Sequence, residues 1–383
     1  MSASIPPAGI VGYGHSTLSD LLPSVLSALG VDTEPNVLDL EPATCIVVLL
    51  VDGMGWNLLR EAPHHAPFLA RLTARQLTAG FPTTTAASIT SLGSGVPSGQ
   101  HGIVGYTSRL DGLAEPVNWL TWRGAYSGID LLPDHDPDRI QPVTSVLQRA
   151  QRAGIEATVV SAPRFRDSGL TRAALRGGHF TGAFTAADTA TQVATAARDR
   201  GGLIYCYNAD LDLIGHVYGS RSEALLAQLE LIDRGVQLLV DRLPPDTRLL
   251  VTADHGMIDV PESAKVDYDD EPMLAAGVAL IAGEARVRYL YVEPGELEAV
   301  RARWIDRVGD RMAILTRDEA IDRGWYGPIV TDDARHRIGD LVAVAVTDMS
   351  IVRRKAESRS SMLIGHHGGL SDGELLIPLL SNG

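Results

Sequence analysis

Unbroken apolar runs alternate with amphipathic stretches along most of the chain. Ile46-Val-Val-Leu-Leu-Val51 is the strongest run, and it ends in Asp52-Gly53-Met54-Gly55. Six consecutive apolar residues, mostly β-branched, predict a strand buried on both faces, as in a parallel sheet. Glu156–Ser161, Leu203–Tyr207 and Arg248–Thr252 predict three more strands. The segments Val143–Ala153, Ala187–Arg198 and Ser220–Arg242 predict helices between them. In the last, Leu225, Leu226, Leu229, Ile232, Val236 and Leu239 form one stripe, Ser220 and Glu223 fit a capping box, and Pro244-Pro245 is the stop. Such alternation implies crossover units and an α/β fold with a mostly parallel central sheet flanked by helices.

The remaining segments are less regular. Residues 1–15 are expected to wrap the surface, Ser19–Leu29 to form a short helix, and Asn57–Leu77 a broken helix. Phe81–Thr85 reads as extended, Ala86–Leu92 as helical, and Gly93–Gly99 as a loop. The stretch 102–140 is irregular and carries Tyr106, Trp119, Trp122 and Tyr126, which either line a pocket for a flat leaving group or cover a second small core. Beyond residue 260 the texture changes. Val287, Tyr289 and Tyr291 alternate with Arg288 and Leu290, predicting a strand with a wetter face, followed by a helix over Glu296–Val308 and strands over Met312–Leu315 and Leu341–Val346. We read residues 266–344 as a small α/β cap inserted into a catalytic core of residues 1–265 and 345–383.

Composition narrows the function. The 383 residues are 45% hydrophobic and carry a formal charge of −14 with no basic tract. This argues against a general nucleic-acid binder, which needs a positive footprint. It leaves a small phosphate ester open, because bound metals supply local positive charge. Cys45 and Cys206 sit in apolar runs and read as reduced core residues. Residues 1–30 lack a basic segment followed by an apolar one, and no apolar run reaches the ~20 residues of a membrane span. A soluble cytoplasmic protein is expected, its oligomeric state left open.

The candidate chemistry sits at predicted strand ends. Asp52 follows the first strand, where it either caps a turn or faces a cation. Asp212 and His216 follow the Leu203–Tyr207 strand, four residues apart, with Asp210 as a competitor. Asp254-His255-Gly256 ends another strand, and His366-His367-Gly368 stands near the C-terminus, with either imidazole available. Aspartate with histidine suits Zn²⁺ or a similar ion. Six such ligands exceed one tetrahedral site and point to two ions, about 3.5–4 Å apart as in two-metal phosphoryl-transfer sites. Thr85 precedes a helical segment, where its hydroxyl is either a cap or a nucleophile favoured by the helix dipole.

The order Val51-Asp52-Gly53, Pro82-Thr-Thr-Thr85, Ser94-Gly95, His101-Gly102, Asp212-x-x-Gly215-His216, Asp254-His255-Gly256-Met257, His367-Gly368 resembles the alkaline phosphatase superfamily. Within it the chain is most similar to the type I phosphodiesterase/nucleotide pyrophosphatase family, over roughly residues 45–370; Arg337-Ile-Gly-Asp340 is also shared. The resemblance implies a three-layer sandwich with an inserted cap and two divalent ions, Zn²⁺ first and Mn²⁺ as the alternative. It implies that Asp212, His216 and His367 hold one ion, and that Asp52, Asp254 and His255 hold the other with Thr85 bound as nucleophile. Thr85 would form a phospho-threonine, which a metal-bound water would hydrolyse. Where the family carries Phe-Pro-Asn after the nucleophile, this chain has Ala86-Ala87-Ser88, so Ser88 or Asn57 is the candidate phosphate contact; Tyr106, from the aromatic stretch, is a further candidate substrate contact. The expected substrate is a small phosphodiester or nucleotide. The alternatives are a phosphonate hydrolase of the phosphonoacetate type, a phosphomonoesterase, and an inactive metal-bound binding module.

Overall fold

The computed structural model describes residues 6–382. Its centre is a seven-stranded sheet in the order Thr73–Thr78, Leu376–Ser381, Thr247–Thr252, Cys45–Val51, Gly202–Asn208, Ala157–Ser161, His179–Gly182. Cys45–Val51 is buried along its whole length and runs parallel to both neighbours. Leu376–Ser381 alone is antiparallel to its two partners. Helices flank the sheet. Ala186–Asp199 packs with Glu223–Val240, while Leu21–Ala28, Thr85–Ser94 and Val146–Arg152 form a separate group. The long helix buries Leu225, Leu229, Ile232, Val236 and Leu239, the stripe read from the sequence.

Register decides where the chemistry emerges. Val51 pairs with Asn208, and Leu50 with Thr252. Asp52, the helix Asp210–Tyr218 and Asp254 therefore leave the same carboxyl edge of the sheet, where open α/β sheets hold ligands. Two further pairings bring the last motif there. Gly365–His366 pairs with Ile258–Asp259, and Gly368 bridges to Thr83.

A second, four-stranded antiparallel sheet has the order Val278–Glu284, Val287–Val292, Leu341–Ala345, Met312–Thr316. The helix Leu297–Val308 packs on it through Val300, Trp304 and Val308. Its other face shares a core with Phe81, Val104, Leu370 and Leu375.

The structure corrects several expectations. Asn57–Leu77 is helical only in part: an α-helix spans Trp56–Glu61 and a single 3-10 turn Leu69–Arg71, while Thr73–Thr78 is an edge strand whose first four residues are exposed. The long helix is capped by Ser222, whose side chain accepts from the Leu225 amide, so Ser220 and Glu223 form no capping box. The helix after Thr84 runs through Ser94, into the expected loop. Val287–Tyr291 has no wet face, because Arg288 is fully buried and bonds Glu357 and the Ile351 carbonyl. Of the two readings of the 102–140 aromatics, Trp119 and Trp122 follow the second: they pack edge to face at 5.0 Å inside a small separate core. Residues 1–5 of the expected surface wrap lie outside the described residues; farther along, Val11 is buried against the second sheet, and the Tyr13 hydroxyl donates to the Trp325 carbonyl. No described helix is long and apolar enough to cross a membrane.

Candidate active site

Thr84 is extended and caps the helix Thr85–Ser94, so Thr85 opens its first turn. Every residue of this helix is buried. Small side chains permit that: a Cβ at Gly93 would stand 2.1 Å from the Ala174 carbonyl oxygen. The helix N-terminus thus carries the Thr85 hydroxyl into the carboxyl edge of the sheet, with its dipole favouring negative charge there. Thr85 Oγ1 lies 3.2 Å from His255 Nε2.

Three imidazoles share one design. Nδ1 of His216 faces the Gly365 carbonyl at 2.8 Å, that of His255 faces Gly256 at 3.0 Å, and that of His367 faces Thr83 at 2.8 Å. A carbonyl only accepts, so each Nδ1 carries the proton and each Nε2 presents a lone pair. Those lone pairs meet carboxylates. His216 Nε2 is 3.3 Å from Asp212 Oδ2, and His255 Nε2 is 3.4 Å from Asp52 Oδ1 and 3.5 Å from Asp254 Oδ2.

Two groups have ligand atoms within 4.8 Å of one another: Asp212, His216 and His367, and Asp52, Asp212 and His255. The first is the set expected for one ion. The second replaces the expected Asp254 with Asp212, whose carboxylate reaches both groups; Asp254 stands at the margin, with Oδ1 accepting from the Gly53 and His255 amides. His367 is brought in, whereas His366 bonds the Leu363 carbonyl. Asp210 is exposed and bonds Asn208.

The charge balance is lopsided. Burial, then repulsion from Asp52, pushes the Asp212 carboxyl up to about 7. Burial, then Asp212, does the same to Asp254, also to about 7, and burial with Asp254 raises Asp52 well above the usual range. Burial lowers His255 to about 4, and burial, then His255, holds His367 well below the usual imidazole range. Asp52 Oδ1, Asp212 Oδ1 and Asp254 Oδ2 are buried without a hydrogen-bond partner. Orphaned anionic oxygens beside imidazole lone pairs are what a divalent cation neutralises, and the donor set suits zinc-like ions.

The proposed substrate contacts fare differently. Ser88 is fully buried, its hydroxyl without a partner. Asn57 opens on a different cavity of about 560 Å³, with His64, Arg221 and Asp259, that does not include Thr85. Tyr106 is half-buried and its hydroxyl accepts from Asn118 Nδ2. A second cavity does include Thr85, and Phe165, Phe180, Tyr207, Leu120 and Leu170 line it. Two residues of the site escaped the sequence. Tyr207 donates its hydroxyl to Asp52 Oδ2, and Glu284 Oε2 reaches to 3.4 Å from His367 Nδ1. The first ends a strand already assigned to the site edge and was readable there. The second lies in another sheet and had no local signal.

The chain superposes on murine ectonucleotide pyrophosphatase / phosphodiesterase 5, solved as an inactive variant in complex with AMP. The TM-score is 0.68 and the identity 18%, covering 89% of this chain and 88% of that one. It also resembles phosphonoacetate hydrolase from Sinorhizobium meliloti 1021 in complex with phosphonoacetate, with a TM-score of 0.65, 18% identity, and coverage of 89% and 90%. At these identities the likeness is one of fold. No curated protein matches the chain. The model of the type I phosphodiesterase / nucleotide pyrophosphatase family matches residues 46–370, and the chain belongs to that family, within the alkaline phosphatase superfamily.

Proposed function

We propose that the chain hydrolyses phosphodiester or nucleotide pyrophosphate bonds, using two divalent cations and Thr85 as nucleophile. The observation that carries this reading is the convergence of three unpartnered carboxylate oxygens and three imidazole Nε2 atoms beside one threonine hydroxyl at a helix N-terminus. Asp212, His216 and His367 would hold one cation. Asp52, Asp254 and His255 would hold the other with Thr85, Asp212 reaching toward both. Zinc fits this nitrogen–oxygen donor set first, and manganese next. When bound, the cations supply the positive charge that an alkoxide and a pentavalent phosphoryl group need.

The protein's own groups do the rest. Thr85 Oγ1 forms a bond to phosphorus as the bond to the leaving oxygen breaks. Water then cleaves the Thr85–phosphorus ester and restores the hydroxyl. Tyr207 ties down Asp52 Oδ2 and leaves Oδ1 for the cation. The apolar wall of Phe165, Phe180 and Leu120 seats a flat or apolar ester group beside Thr85 and excludes water. Residues 266–344 act as the inserted cap, reaching the site through Glu284.

The test is a metal-replete substrate screen. Bis-(p-nitrophenyl) phosphate should turn over faster than p-nitrophenyl phosphate. The reverse order would make the chain a monoesterase, and phosphate release from phosphonoacetate would make it a phosphonate hydrolase. Bound metal without turnover on any substrate would leave a binding module.

A further inference from the structure

Glu284 ends the first strand of the four-stranded sheet, yet its side chain is only 11% exposed and points at the loop that carries His367. Oε2 is 3.4 Å from His367 Nδ1, while Oε1 is buried without a partner. Gly368 is fitted to the same side chain. Its φ is +119°, and a Cβ there would stand 2.8 Å from Glu284 Cδ. Two residues on, Arg286 pairs with Glu374 through contacts of 2.9 and 2.8 Å, both side chains fully buried. Glu374 in turn accepts from the Gly369 amide at 2.8 Å. One hairpin of the second sheet thus grips the His367 loop on both sides of Gly368.

The Thr83 carbonyl already accepts from His367 Nδ1. A carboxyl oxygen at the same nitrogen adds two effects: it narrows the rotation of the ring and raises the basicity of Nε2, the atom facing Asp212 at 3.9 Å. We propose that Glu284 is a positioning residue for His367, supplied by the inserted sheet, and that it sets the affinity for the cation held with Asp212 and His216. Its proposed action on the reacting groups runs through His367. The inference rests on the two-cation reading above.

The experiment is a zinc titration of the full metal-stripped chain against a competing chelator, in wild type, Glu284→Gln and Glu284→Ala. Wild type should bind two zinc ions. Each variant should keep one at wild-type affinity and bind the second about 10- to 100-fold more weakly, with the melting temperature of the metal-free protein unchanged. Glutamine keeps the shape and removes the carboxyl group, so it decides the matter even if the alanine variant fails to fold. Two wild-type affinities in Glu284→Gln would overturn the proposal. So would equal weakening of both sites with a lowered metal-free melting temperature, which would mark a packing role only. A wild-type chain that takes up no zinc would instead remove the two-cation reading, and this inference with it.

Discussion

The imidazoles of His255 and His367 stack face to face, 3.7 Å between ring centroids and 20° from parallel. One belongs to each proposed ligand group, so the stack sets the two groups side by side. Their Nε2 atoms face Asp52 and Asp212 respectively, and Thr85 lies against the first. The stack joins two chain segments more than a hundred residues apart, held by the bridge from Gly368 to Thr83 and by the Gly365–His366 pairing.

Thr85→Ala should keep the fold and the metal content and lose at least ~10³ in kcat, because the hydroxyl 3.2 Å from His255 Nε2 is the proposed nucleophile. Thr85→Ser should retain measurable turnover. Stopped assays on bis-(p-nitrophenyl) phosphate, with metal analysis of the same samples, check both. Near wild-type rates in the alanine variant would remove Thr85 from the mechanism.

The shared position of Asp212 predicts unequal losses among the ligands. Asp212→Ala should deplete both ions, because its carboxylate belongs to both groups. His216→Ala should deplete one, and Asp254→Ala should lower the content of the other. Elemental analysis after dialysis reads the three ratios. Identical ratios in the Asp212 and His216 variants would contradict the shared carboxylate.

The Arg286–Glu374 pair predicts a stability asymmetry. Both side chains are fully buried, so Arg286→Met strands an unpaired carboxylate and should cost about 3–5 kcal/mol. Adding Glu374→Leu should recover much of that loss. Urea unfolding of the metal-free proteins measures the cycle, and simple additivity of the two losses would sink the argument.

Acid stability follows from His101. It is buried, its Nδ1 accepts from the Ile103 amide, and its Nε2 stands 2.9 Å from Ser91 Oγ. Burial, reinforced by Arg337, lowers it to about 3. The unfolded chain takes up this proton near pH 6.5, the folded chain only near 3, so stability falls as the pH drops through that window. His101 alone contributes a slope of up to about 1.4 kcal/mol per pH unit there. Denaturation of wild type and His101→Gln in chelator, from pH 7 to pH 4, should show a shallower acid limb in the variant.

Much of this was legible where local pattern and burial agree. Cys45–Val51 is apolar because both faces are covered, and the Glu223–Val240 stripe is the face that packs. The candidate ligand motifs stood out because they follow predicted strands. What failed to show had a physical reason. Thr73–Thr78 is an edge strand with mostly polar side chains and only Leu77 buried, and Pro378 disguises Leu376–Ser381 as a non-strand. Arg288 reads as a surface charge until its burial against Glu357 and the Ile351 carbonyl is seen. Glu284 meets His367 only because two sheets pack, which no local spacing records.

The most direct measurement is anomalous diffraction from crystals of the wild-type chain soaked in zinc. Two peaks are expected beside Thr85, one among Asp212, His216 and His367 and the other among Asp52, Asp254 and His255. A single peak, or density only at surface histidines with these side chains unliganded, would contradict the account.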